Sequence, residues 1–149
     1  MGIRIANDKD IVKIGDLLAQ LGYPTEPVFL REKILQLLGD SSHVLVVYEE
    51  RGDVESVMSI HFVPQLALVG DFAIISYLAV DANSRSKGIG KALEEYCVEL
   101  ATERNCDRIQ VHCNIRRTDA HRFYERQGYT ESRKYFSKKL ERHLSSIET

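Results

Sequence analysis

The sequence predicts an α/β fold in one domain, and three observations carry that expectation. Stretches with apolar residues at helical spacing interleave with short runs of β-forming residues. The run over 73–80, Ala-Ile-Ile-Ser-Tyr-Leu-Ala-Val, is too continuously apolar for a surface strand and reads as an inner one. A length of 149 residues suits one domain with a real core, and no repeat or low-complexity stretch divides it.

Taken in order, residues 2–6 form a short first strand. Asn7 or Asp8 can cap the next helix, whose Ile11, Ile14, Leu17, Leu18 and Leu21 make a core stripe. Residues 22–27, Gly-Tyr-Pro-Thr-Glu-Pro, break the pattern and lead to a second helix that buries Leu30, Ile34, Leu37 and Leu38. A strand over 44–48 turns at Arg51-Gly52-Asp53 into a longer one over 54–63, so the Arg-Gly-Asp triplet reads as a hairpin turn rather than an adhesion signal. Pro64 ends that strand, and Gly70-Asp71 turns into the inner one. A helix then sets Ile89, Ala92, Leu93, Tyr96, Cys97, Leu100 and Ala101 on one face. Residues 108–114 alternate Ile109, Val111 and Cys113 inward with Gln110, His112 and Asn114 outward. A short helix begins near Thr118, aligns Ala120, Phe123 and Tyr124, and stops at Gly128. Residues 129–132 and 134–140 read as a last pair of strands, and 141–149 as a polar tail.

Composition narrows the function classes. With 28% charged residues and a formal net charge of −2, neither a nucleic acid nor a membrane is expected as partner. No apolar run approaches the roughly 18 residues of a membrane span, and no signal-peptide pattern is seen at the start. Cys97, Cys106 and Cys113 form no C-x-x-C pair and read as reduced thiols, which suggests a cytoplasmic protein. The five histidines include no H-x-x-x-H pair, so no metal is expected.

The chemistry concentrates in Arg85-Ser86-Lys87-Gly88-Ile89-Gly90-Lys91, between the inner strand and the helix after it. Glycines at 88 and 90 let a ligand approach the backbone, the helix start offers unpaired N–H groups, and Arg85, Lys87 and Lys91 add positive charge. That combination predicts a phosphate site. It is not a P-loop, because Ala92 follows Lys91 and Arg85 stands where the first glycine belongs. Nor is it a dinucleotide fingerprint, since Leu93 replaces the third glycine.

What remains, [RQ]-x-x-G-x-[GA] after Val80-Asp81, resembles the acetyl-CoA motif of the GCN5-related N-acetyltransferases (GNAT family). A second segment, Asn114 followed by Ala120-His121-Arg122-Phe123-Tyr124-Glu125-Arg126-Gln127-Gly128-Tyr129, is similar to the family's A-x-x-F-Y-x-x-x-G-[FY] stretch. The expected element order, β-α-α-β-β-β-α-β-α-β, also matches over nearly the whole chain. The resemblance implies a mixed, mainly antiparallel twisted sheet with helices on both faces. Its central strands, bearing Val80 and Asn114, start parallel and splay apart. It implies acetyl-CoA as co-substrate, with the pyrophosphate on Arg85, Ser86, Lys87, Gly88, Ile89, Gly90 and Lys91. Backbone N–H groups of Leu78, Ala79 and Val80 would bind the pantetheine arm, and that of Val80 would polarise the thioester carbonyl. Tyr124 stands at the position of the acid that protonates the thiolate. Asn114 is a hydrogen-bond partner for the pantetheine or adenine part.

The base is where the chain departs from many relatives, which carry a glutamate about four residues before the motif valine. Ser76 stands there, and a serine at its ordinary pKa cannot serve. His61, Glu55 and Asp71 are the other candidates. The acceptor pocket is expected from residues 22–27, 65–71 and the surroundings of Tyr135, with Glu26 and Asp71 available to recognise a cationic amine. The expected activity is transfer of an acetyl group to a primary amine of a small molecule or a peptide. A second reading, a non-catalytic acetyl-CoA-binding regulatory module, is favoured by Ser76 and disfavoured by Tyr124. A homodimer is compatible with either.

Overall fold

A computed structural model describes residues 2–112, 118–132 and 136–141. Contacts divide the chain into two units, one ending at residue 114 and one beginning at 115.

In the first unit, β-branched and apolar runs pair into a five-stranded sheet, ordered as in the chain: β1 (Gly2–Ile5), β2 (His43–Glu50), β3 (Asp53–Val63), β4 (Phe72–Val80) and β5 (Arg108–Val111). The first four are antiparallel neighbours and β4–β5 is parallel, the mixed sheet that the resemblance implied. Arg51 and Gly52 have φ of 53° and 84°, the paired positive values of a two-residue turn whose twist suits a β-hairpin. Arg51 and Gly52 of the triplet are thus the turn between β2 and β3, and Asp53 opens β3 opposite Glu50.

Strand alternation feeds two apolar layers. On one face, α1 (Ile11–Leu21) and α2 (Pro27–Leu38) set Ile14, Leu17, Leu30 and Ile34 against Leu45, Val47 and Val57. On the other, α3 (Ile89–Glu103) sets Ile89, Leu93, Cys97 and Ala101 against Val46, Met58, Ile60 and Ile75. Neighbours such as Leu45 and Val46 fall in different layers because side chains of a strand alternate. Cys97 is packing material: burial, with the nearby Glu94, pushes its thiol up to about 12, where it is unreactive. Gly70 is required where the chain crosses the end of α3. A Cβ there would lie 2.6 Å from the Asn105 carbonyl oxygen and 2.7 Å from the Asp107 nitrogen.

Two features of β4 matter for function. Its register with β3 slips between Ser59–Tyr77 and Ile60–Ile75, so Ser76 is the extra residue of a β-bulge. Its pairing with β5 runs only from Phe72 to Ile75, ending one residue before that bulge. Among the described residues, β4 from Ser76 to Val80 is therefore paired on its β3 side alone.

The second unit contains α4 (Thr118–Arg126). Gly128, with φ of 94°, ends it: its N–H donates to the Glu125 carbonyl (3.0 Å), and the Tyr129 N–H donates to the Tyr124 carbonyl (3.0 Å). The expected strands at 129–132 and 134–140 are corrected where the structure describes them. Residues 129–132 and 136–140 have no ladder, and Phe136 and Leu140 are 91% and 77% exposed. Alternation there is carried by too few apolar side chains among lysines and a glutamate to draw the segment into a sheet. Cys113, Asn114 and Tyr135 lie outside the described residues.

Candidate active site

The segment leaving β4 is pinned before it reaches the glycines. Asp81 accepts from the Asn83 N–H (3.0 Å), forming a short 3₁₀ turn, and pairs with Lys13 of α1. The Lys13 ammonium, with the Asn83 N–H, holds the Asp81 carboxyl below its ordinary value. The Ala82 N–H donates to Gln20 Oε1 (2.9 Å), and Ser84 Oγ donates to Glu55 Oε1 (2.9 Å). Glu55, one of the expected base candidates, is thereby engaged in the scaffold.

Beyond this anchor, Arg85, Ser86, Lys87, Gly88 and Lys91 are exposed, while Ile89 plugs into the α3 layer. Ser86 and Gly88 take left-handed conformations (φ 69° and 81°), curling the backbone into a concavity of the kind that binds anions. Gly88 is the N-cap of α3, with no side-chain cap and no acidic residue in the first turn. Among the described residues the amides at the helix start thus have no side-chain acceptor, and the positive end of the dipole adds to three basic side chains. The loop fits a pyrophosphate.

The amides of β4 sort by alternation. The Asp81 N–H donates to the Glu55 carbonyl (2.8 Å), so the amides of Ala79 and Tyr77 face β3 and those of Leu78 and Val80 face the opposite edge, which is unpaired among the described residues. Ala79 is therefore corrected as a pantetheine contact. Its amide is turned into the sheet, its carbonyl accepts from Ser56 Oγ (2.8 Å), and its side chain is core.

Beside the bulge runs a buried polar chain that sequence reasoning missed. His43 Nε2 lies 2.6 Å from Ser59 Oγ, and Ser76 Oγ donates to Ser59 Oγ (3.1 Å) and to the Ser59 carbonyl (3.2 Å). The His61 ring meets that of His43 edge-on at 4.4 Å. His43 is 6% exposed, and its Nδ1 has no hydrogen-bond partner among the described residues. Burial, assisted by His61 and opposed by Asp40, pushes its pKa down to about 4. The signal was available in the strand pattern, because positions 43, 59 and 61 carry polar residues in phase with Leu45, Val47 and Val57.

That depressed value makes a stability prediction. The unfolded imidazole takes a proton near its ordinary 6.5 and the folded one only near 4, so stability is full above about 6.5 and falls on acidification through that window. Between pH 7 and pH 5 the loss is on the order of 2 kcal/mol. Thermal melts across that range should show a steeper decline for wild type than for His43→Gln, which cannot titrate; parallel curves would contradict the buried neutral imidazole.

The 22–27 loop reaches β4 through Tyr23, whose ring meets Tyr77 edge-on at 5.4 Å, directly beside the bulge. Glu26 is exposed on that loop, at the N-cap position of α2. Asp71 is corrected as part of the same site. It precedes β4, accepts from the Asp107 N–H (2.8 Å) through its carbonyl, and stands nine residues from Val80, about 30 Å along a strand. In the second unit, Tyr124 is buried on α4, its ring 5.0 Å from that of Phe123 and 5.5 Å from that of Tyr129. Among the described residues, no helix is long and apolar enough to cross a membrane.

The chain matches the acetyltransferase (GNAT) family over residues 11–129. It is 34% identical over 89 residues to the aminoalkylphosphonate N-acetyltransferase of Salmonella typhimurium (strain LT2). That match covers 60% of this chain and 58% of the relative, less than two thirds of the relative's length. A solved transcriptional regulator from Bacillus halodurans C-125 superposes with a TM-score of 0.86 at 26% identity, covering 93% of this chain and 98% of that one. Glucosamine-6-phosphate N-acetyltransferase from Arabidopsis thaliana shares the fold, with a TM-score of 0.80 at 22% identity over 93% and 97% of the two chains.

Proposed function

Because this chain belongs to the acetyltransferase (GNAT) family, we propose that it moves an acetyl group from acetyl-CoA to a primary amine of a small molecule or a peptide. One observation carries the reading. Within the single stretch 76–91, a strand edge that is unpaired among the described residues, with outward amides, leads into a basic helix start without a side-chain cap. The helix start and Arg85, Ser86, Lys87, Gly88, Ile89, Gly90 and Lys91 suit the pyrophosphate. The Leu78 and Val80 amides suit the pantetheine arm, and Val80 N–H is the donor for charge developing on the thioester oxygen. Acetyl-CoA supplies the activated acetyl group. Tyr124 is assigned as the proton donor to the departing thiolate, and Asn114 as a polar contact to the arm.

An amine that also carries a phosphonate, the substrate class in the name of the Salmonella relative, is the first acceptor to try. Release of free thiol from acetyl-CoA, dependent on added amine, supports the reading; no release with any amine would favour the binding module that Ser76 suggests.

The base sets the pH dependence. An amine of pKa about 10 is neutral in roughly one molecule in a thousand at pH 7. With serine in place of a carboxylate, kcat/KM should climb tenfold per pH unit up to the amine's own pKa, shifting with the amine used. If His61 is the base, an inflection common to both amines appears and vanishes in His61→Ala. Profiles for two amines of different basicity decide; the amine-tracking outcome is expected.

A further inference from the structure

Ser76 is the extra residue of the β4 bulge, half-buried, at the point where β4 leaves β5 and two residues from the outward amide of Leu78. Both of its side-chain hydrogen bonds run inward to a single residue, to Ser59 Oγ (3.1 Å) and to the Ser59 carbonyl (3.2 Å). A serine hydroxyl has one proton and two lone pairs. The carbonyl can only accept. When His43 accepts at Nε2, Ser59 spends its own proton there and likewise accepts from Ser76. In either arrangement of protons the Ser76 hydrogen has an acceptor inside the sheet, and its oxygen keeps a lone pair for a partner outside. Burial holds His43 neutral, and the titratable groups around it are His61 of β3 and Asp40 before β2, with α2 turning apolar Leu30 and Ile34 to the sheet. The Tyr23–Tyr77 contact brings the 22–27 loop beside the same bulge.

We propose that Ser76 is an acceptor-binding residue, its oxygen receiving an N–H of the incoming amine and turning the nitrogen lone pair toward the thioester held at the Leu78–Val80 edge, with Ser59 and His43 as positioning residues that keep the Ser76 proton directed inward. This rests on the acetyl-transfer reading. It gives Ser76 a role that needs no change in its protonation state. The amine nitrogen needs two things at once: a lone pair aimed at carbon and an N–H with somewhere to go. A bulge residue supplies the second without contacting the pyrophosphate loop. Ser59 and His43 act only through Ser76, so removing either should matter less once Ser76 is gone.

The test uses the full chain, with acetyl-CoA affinity by calorimetry and steady-state kinetics for one amine that wild type acetylates. Ser76→Ala should lower kcat/KM for the amine by about 10-fold or more, leave acetyl-CoA affinity unchanged, and be largely rescued in Ser76→Thr, which restores the hydroxyl. Ser59→Ala should lower kcat/KM several-fold by itself and add little in the double variant with Ser76→Ala. Unchanged amine kinetics in Ser76→Ala, or additive losses in the double variant, would overturn the proposal while leaving acetyl transfer intact. A wild type that binds acetyl-CoA and acetylates no amine would overturn the reading beneath it. If Ser76→Ala melts early, failure of Ser76→Thr to regain amine kinetics while regaining stability counts against the role.

Discussion

Glutamate in place of Gly90 is expected to abolish acetyl-CoA binding while leaving the fold standing. Gly90 lies in the first turn of α3, where a carboxylate interacts favourably with the helix dipole, so the helix itself tolerates the change. The same carboxylate occupies the space and the charge complement of the pyrophosphate. It would pair with Arg85, Lys87 or Lys91, which the ligand needs. Losing two charge-assisted hydrogen bonds costs at least about 3 kcal/mol, more than 100-fold in affinity. Gly90→Gln, with the same shape and no charge, separates crowding from electrostatics. Gly88→Glu should do the same damage and melt earlier as well, because φ at 88 is +81° and a side chain there is strained. Calorimetry showing normal acetyl-CoA binding by a folded Gly90→Glu protein would remove the phosphate site.

Tyr124→Phe is expected to lower kcat by about 100-fold or more with acetyl-CoA affinity little changed. The substitution keeps the ring that packs at 5.0 Å on Phe123 and 5.5 Å on Tyr129, so what is lost is the hydroxyl. A thiolate leaving without a proton donor is the cost. An unaltered kcat, with chemistry shown to be rate-limiting, would exclude Tyr124 as the acid.

How much of this was legible in the sequence follows from which interactions are local. The stripes Ile11-Ile14-Leu17 and Ile89-Leu93-Cys97-Ala101 are periodic within one helix, and both proved to face the core. The glycine-basic loop is contiguous, so its chemistry could be read residue by residue. The bulge could not: Ser76 is set off only by the slip between Ser59–Tyr77 and Ile60–Ile75, a property of two strands separated in the chain. For the same reason Ala79 was grouped with Leu78 and Val80, because the direction of an amide depends on the phase of the ladder with β3. The expectation that Asp71 helps to recognise the acceptor amine leaves out the strand between it and Val80, which is straight enough to carry its two ends far apart. The link from Ser76 through Ser59 to His43 joins three strands, and only the pattern of polar residues on a buried face hinted at it.

The central claim is that this chain transfers acetyl from acetyl-CoA to an amine, and stoichiometry tests it most directly. Wild-type protein is incubated with acetyl-CoA and a panel of amines, aminoalkylphosphonates included, with free thiol and acetylated amine measured in the same samples. Transfer requires one acetylated amine for each thiol released, at a rate that rises with amine concentration. Thiol released equally with and without amine, or no acetylated product from any amine despite bound acetyl-CoA, would contradict it.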